Sequence, residues 1–250
     1  MGRWIVSVIP QYVSNRVLLT GYRLLAVFGI PRFIRRRHVR ENHERLEKTN
    51  WNFWNEKEAL IENQSEWKNI RFGVGRHLNM CFSGCEIIAT FNARKALGDR
   101  VSLRDMVDLI DAYEAKGAAL WGLFGVAPTV IAAYFKRNGF AVQTADGAEE
   151  AAVEEIAENH KVLIVTAYHD KKDITAQIHT ICMTRDPEGK FILHNAYHRD
   201  EKGRFDKSRP YKTFWEALSH LSGREPKLIY LIGLGKGQTE RQKSRRIFSR

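Results

Sequence analysis

The feature that most constrains this chain is a change of pattern near residue 161. Upstream, apolar residues recur at helical spacing; downstream, they alternate or run continuously in short segments bounded by turn residues. The run KVLIVTAYH (161–169) reads as a strand with a continuous apolar core. IHTICMTRD (178–186) and KFILHNAYH (190–198) read as two more strands. They are joined by DPEG, whose residues favour a tight reversal, so the pair reads as an antiparallel hairpin. A late helix, YKTFWEALSHL (211–221), and a last strand, KLIYLIGLG (227–235), follow.

The upstream half reads differently. From Glu86 a helix carries Ile87, Ile88, Phe91 and Leu97 close to one face and stops at Gly98. A second helix spans 102–117, with Ser102 and Asp105 placed as a capping box and Met106, Leu109, Ile110 and Tyr113 as its apolar stripe. WGLFGVAP (121–128) is a Gly-rich loop, and a third helix follows with Pro128 in its first turn. A short strand, FAVQTA (140–145), and a fourth helix over 148–160 complete this half. Helices first and antiparallel strands second define the α+β class: a helical N-terminal part packed on an antiparallel β-sheet.

Charge divides the chain further. Residues 1–40 hold eight arginines and no Asp or Glu, and residues 233–250 hold six Lys or Arg against Glu240. The middle is close to neutral, so the net +11 belongs to the ends. The expected division is a basic, partly amphipathic N-terminal extension (1–70), a catalytic body (71–235) and a basic tail (236–250). Basic ends suit a membrane surface or an acidic partner; no specific nucleic-acid partner is expected, because the body carries no basic excess. The apolar run at 17–30 includes Arg23 and falls short of the ~20 residues a spanning helix needs. Trp51, Phe53, Trp54 and Trp67 suggest an aromatic connector onto the body. Three cysteines cannot build a disulfide framework, and no secretory signal is traced. The expected location is therefore cytoplasmic, peripheral at a membrane if the basic ends engage one.

Chemistry centres on NMCFSGCEII (79–88), which holds Cys81 and Cys85. Zinc would need a second local ligand pair, and Cys182 stands alone on a strand, so no metal and no cofactor is expected. Cys85 instead follows Ser83-Gly84 at the start of a helix. Free N–H groups and a positive dipole end favour a thiolate there and can also receive an oxyanion. A nucleophilic cysteine needs a base and an orienter. His179 and Asn195 lie on the two arms of one hairpin, where adjacent strands can set imidazole and amide side by side. His194 is expected to face the other side of its strand, towards the surface. Glu86 is expected to point away from Cys85 as an ordinary helix-start residue. Tyr197 shares the Asn195 face and is placed either to pack over the His179–Asn195 pair or to sit in the core, and Trp121 and Phe124 either line a cleft or belong to a packed loop. Cys182 reads as core.

The order Cys at a helix start, His on a strand, then Asn on the next strand resembles that of papain-like cysteine peptidases. The closer likeness is to the bacterial C39-like branch, over roughly 79–233, carried by GCEIIATFNARKALG, GLFGVAPTVIAAYFKRNGF and IHTICMTRDPEGKFILHNAY. The resemblance implies a papain-like fold with Cys85 as nucleophile, His179 as base and Asn195 as orienter. It also implies that Asn79, where the family has Gln, donates to the oxyanion. The implied activity is thiol-dependent acyl transfer, foremost hydrolysis of a peptide or amide bond in a peptide or small acyl substrate. Amide-forming acyl transfer and an inactive binding module on the same fold are the alternatives. Asn79 in place of Gln, and Glu86 after the cysteine, depart from the branch.

Overall fold

Strand β2 (Val162–Tyr168) is buried at every position, and the rest of the chain is arranged around it. The computed structural model describes residues 15–48, 60–168, 178–196, 209–222 and 227–237. With β1 (Ala141–Asp146), β3 (Ile178–Arg185), β4 (Phe191–His194) and β5 (Leu228–Gly235), β2 forms a five-stranded sheet of order β1-β5-β2-β3-β4. Every neighbouring pair is antiparallel. The expected hairpin is present: β3 and β4 pair with Cys182 opposite His194, and Asp186 closes the turn by accepting from the Lys190 N–H.

The continuous apolar run in β2 has a simple cause: helices cover both faces of the sheet. Val162 and Ile164 join Cys182, Ile232 and Leu234 beneath one helical layer, while Leu163, Val165 and Ala167 join Ile181, Met183 and Leu231 beneath another. The first layer holds α4 (Cys85–Ala96), α5 (Leu103–Ala115) and α6 (Pro128–Arg137); the second holds α7 (Glu150–Asn159) and α8 (Phe214–Ser222). A strand sandwiched this way has no water-facing side, so alternation gives way to an unbroken apolar run.

Helix α4 is the centre of the first layer. It is buried all round from Cys85 to Ala93, rather than along one stripe. Asn92 holds the 60–62 segment against it by bonding both the N–H and the carbonyl of Ile61 at 2.8 and 2.9 Å. Helix α5 begins with the capping box read from sequence: Asp105 reaches back to the Ser102 N–H while the Ser102 hydroxyl accepts from the Asp105 N–H.

The N-terminal helices α1 (Asn15–Leu25) and α2 (Arg32–Glu47) are part of this body. Ile30, Leu46, Ile61 and Trp67 share the α4–α5 core. Buried His38 meets the Glu114 carboxylate at 2.6 Å, and Asn42 bonds the Arg71 main chain on both sides. The described part of the expected 1–70 extension is thus bolted to α5 and to the 70–73 segment. Trp51, Phe53, Trp54 and the tail beyond Gly237 lie outside the described residues. Among the described residues, no helix is long and apolar enough to cross a membrane.

Candidate functional site

Cys85 is the first residue of α4. A short helix, α3 (Met80–Ser83), leads into it, and Gly84 joins the two. A side chain at Gly84 would meet the Met80 carbonyl oxygen at 2.6 Å, so only glycine lets the chain turn this tightly. The junction places the Cys85 sulfur against β3, where the Thr180 N–H donates to it. Thr180 is the residue after His179, but neighbours on a strand face opposite sides: His179 pairs with Ala167 on the face covered by α7 and α8, and it does not line the cavity at Cys85.

His179 is buried. Its Nε2 lies 2.7 Å from the main-chain oxygen of Asn195. A carbonyl only accepts, so Nε2 carries the proton, and in the neutral ring Nδ1 is the basic nitrogen. The orienting group is therefore the Asn195 carbonyl and not its side-chain amide. Asn195 has φ of 63°, a left-handed conformation that Asn tolerates better than most residues. Its amide turns instead to Gln64: the Gln64 N–H donates to Oδ1 at 2.9 Å, and Nδ2 donates to Gln64 Oε1 at 3.1 Å. Gln64 in turn donates to the Cys81 carbonyl at 3.0 Å. One buried glutamine thus ties the His179–Asn195 end of the sheet to the segment leading into Cys85.

Asn79 has a different task. Its side-chain oxygen accepts from the Phe82 N–H at 3.0 Å and caps α3. The cleft at Cys85 is lined by Tyr22, Phe82, Ser83, Glu86, Leu123, Phe124, Gly125 and Ile178, without Asn79. Phe124 takes its expected place in the cleft wall; Trp121 does not line it. The cavity measures about 50 Å3, room for a water or two. Tyr22 of α1 forms part of its wall.

Glu86 does not point away, contrary to expectation. It is 3% exposed, and its carboxylate accepts from the Cys85 thiol and from the Val126 N–H. Gly125 makes the space: a Cβ there would stand 2.5 Å from Glu86 Oε1. Burial, the largest cause, pushes the Glu86 carboxyl up to about 7. The Cys85 thiol is also pushed well up, first by burial and then by the Glu86 charge; the Thr180 and Glu86 N–H groups pull it down less strongly. The helix start alone predicts a ready thiolate. In the buried site, desolvation and a neighbouring carboxylate outweigh that effect, and the sulfur rests as a thiol. Tyr22 feels the same surroundings, its hydroxyl raised by burial, then by Glu86 and Cys85. Two polar atoms here, Ser83 Oγ and Glu86 Oε2, are buried without a partner, as expected of a site built to meet water or a ligand.

His194 is not on the surface. It is buried in β4 between Glu62, 2.7 Å from Nδ1, and Thr184, 2.8 Å from Nε2. The other Glu62 oxygen accepts from the Asn195 N–H at 3.0 Å. Glu62 and Gln64 thus hold Asn195 from both sides. No spacing rule pointed to them, because they come from an irregular segment some 130 residues away in sequence. Glu86 was visible beside Cys85, but its direction was not. All three cysteines are free thiols, with Cys182 in the core. Among the described residues, no group of three or more His, Cys, Asp or Glu side chains is placed to share one metal ion. Tyr197 lies outside the described residues. No family model, curated protein or solved structure matches the chain.

Proposed function

We propose that the protein catalyses thiol-dependent acyl transfer, foremost hydrolysis of a peptide or amide bond, on a papain-like scaffold with Cys85 as nucleophile and His179 as base. What supports the reading is Cys85 at the first residue of α4, seated against β3, the strand that also carries His179 with its ring held by the Asn195 carbonyl. The two side chains lie on opposite faces of that strand, so the reading requires the end of β3 to turn His179 towards the sulfur. In the reaction, once the end of β3 brings the two side chains together, the Cys85 proton passes to the His179 ring as the sulfur attacks the substrate carbonyl. The first-turn N–H groups of α4 hold the oxyanion, and His179 returns its proton to the leaving amine. Water then attacks the thioester, and the sulfur leaves with a proton. An amine in place of water would make the same site an amide-forming transferase.

Asn79 has no proposed part in catalysis beyond shaping α3, because its side chain does not line the cleft at Cys85. Asn195 acts on His179 through its main chain. A binding module on the same scaffold is the second reading, favoured by the raised Cys85 thiol and the small cleft. Alkylation by a thiol-directed peptide probe separates the two. Catalysis requires labelling that is lost in Cys85→Ala, persists in Cys81→Ala and slows strongly in His179→Ala. Labelling that survives Cys85→Ala but disappears in Cys81→Ala moves the site; labelling indifferent to His179 leaves only the binding reading.

A further inference from the structure

Helix α1 carries apolar side chains on both sides, its outer face mixing Val17, Leu24 and Leu25 with Arg16, Thr20 and Arg23. One stripe, Leu19, Tyr22 and Ala26, packs on the body. Leu24 lies on the opposite side and is 66% exposed; the turn after the helix leaves Val27 and Phe28 at 65% and 74%. A helix whose outer face meets only water carries polar residues there. The same surface continues beyond α1. Phe33, in the first turn of α2, is the most exposed large apolar residue of the described chain, at 76%. Trp121, at 48%, stands on the loop beside which Ala119 and Phe124 pack against Tyr22 and Ala26. Apolar exposure on this scale, gathered in one region, marks a surface that something covers.

Charge decides what that is. Arg16 and Arg23 lie together on one flank of α1, both exposed, and Arg32 and Arg36 follow on α2, also exposed. No Asp or Glu occurs before Glu41. An apolar helix face bordered by arginines, with an aromatic ring at its edge, matches the boundary between acyl chains and phosphate headgroups. Eleven residues cannot span a bilayer but can lie along one.

We propose that α1, the turn after it and the Trp121 loop form a docking face for an anionic lipid surface. The face stands whether or not Cys85 is a nucleophile, and its test does not involve the thiol. The full chain is co-sedimented with vesicles of phosphatidylglycerol and phosphatidylcholine, and with vesicles of phosphatidylcholine alone. Binding is expected to the anionic vesicles and to fall with added salt. L24S with F28S should weaken it by roughly tenfold or more. R16Q with R23Q should weaken it by roughly twentyfold on anionic vesicles. These side chains are exposed, so an unchanged melting temperature confirms that the variants fold. Absence of binding to anionic vesicles, equal binding to neutral ones, or binding unchanged in L24S/F28S overturns the proposal. So does a concentration-dependent dimer, abolished by the same pair of substitutions, in a chain that ignores vesicles; that result assigns the face to a second copy.

Discussion

Replacing Glu86 by Gln should make Cys85 more reactive near neutral pH. Glu86 accepts from the thiol and ionises with a pKa of about 7. Above that pH, forming the thiolate sets two anions side by side in a site from which water is largely excluded. Two unit charges about 4 Å apart, at an effective dielectric constant of about 20, repel by about 4 kcal/mol. At a given pH this sets a ceiling of roughly a thousandfold on the thiolate population that Glu86 suppresses. Burial is the larger cause of the raised thiol and persists in the variant. The apparent Cys85 pKa is therefore expected to fall, without returning to that of a free thiol. Gln keeps an oxygen to accept from the thiol, so the geometry is retained. The measurement is the rate of iodoacetamide alkylation from about pH 4 to pH 10, in a Cys81→Ala background, read at the Cys85 peptide by mass spectrometry. The profile of Glu86→Gln should shift to lower pH, and the two proteins should converge below about pH 5, where the parent Glu86 is protonated and position 86 is uncharged in both. Superimposable profiles across the whole range would refute the electrostatic account of this cleft.

Other consequences follow from the same contacts. The Glu86 pKa is raised in the fold from 4.5 to about 7, so its contribution to stability is full below about pH 4.5 and is lost as pH rises through 7. The loss amounts to about 3 kcal/mol at most, and urea unfolding of Glu86→Gln should show that part of the pH dependence flattened. Asn195→Ala removes both side-chain bonds to Gln64 but leaves the carbonyl that holds His179. It should destabilise the fold by about 1–3 kcal/mol while Cys85 alkylation stays within about threefold of the parent; a collapse of alkylation in a folded variant would show that the amide is the orienter. Tyr22→Ala opens the cleft to water, and alkylation of Cys85 at fixed pH should become faster; an unchanged rate would mean that α1 does not control access.

Much of the fold was legible because it rests on local rules. Ser102 and Asp105 form their capping box within four residues, DPEG reverses the chain between β3 and β4, and Pro128 opens α6. The sandwiching of β2 between two helical layers is announced by its unbroken apolar run. The candidate site was legible to the extent that it, too, is local: Cys85 had to fall at the start of a helix, and His179 and Asn195 had to share a hairpin. The orientation of side chains was not legible. Periodicity assigns a face, but it does not say whether Asn195 bonds His179 through its amide or, once the chain turns left-handed, through its carbonyl.

The sequence by itself thus determined the elements, their order, and a cysteine at a helix start upstream of a histidine hairpin, because each depends on residues a few positions apart. Only the tertiary structure decided the state of that cysteine. Burial under Tyr22 and the inward turn of Glu86 depend on α1, α4 and the Gly125 loop meeting in space. In that buried site the cost of a second negative charge outweighs the pull of the helix N-terminus, and the sulfur keeps its proton.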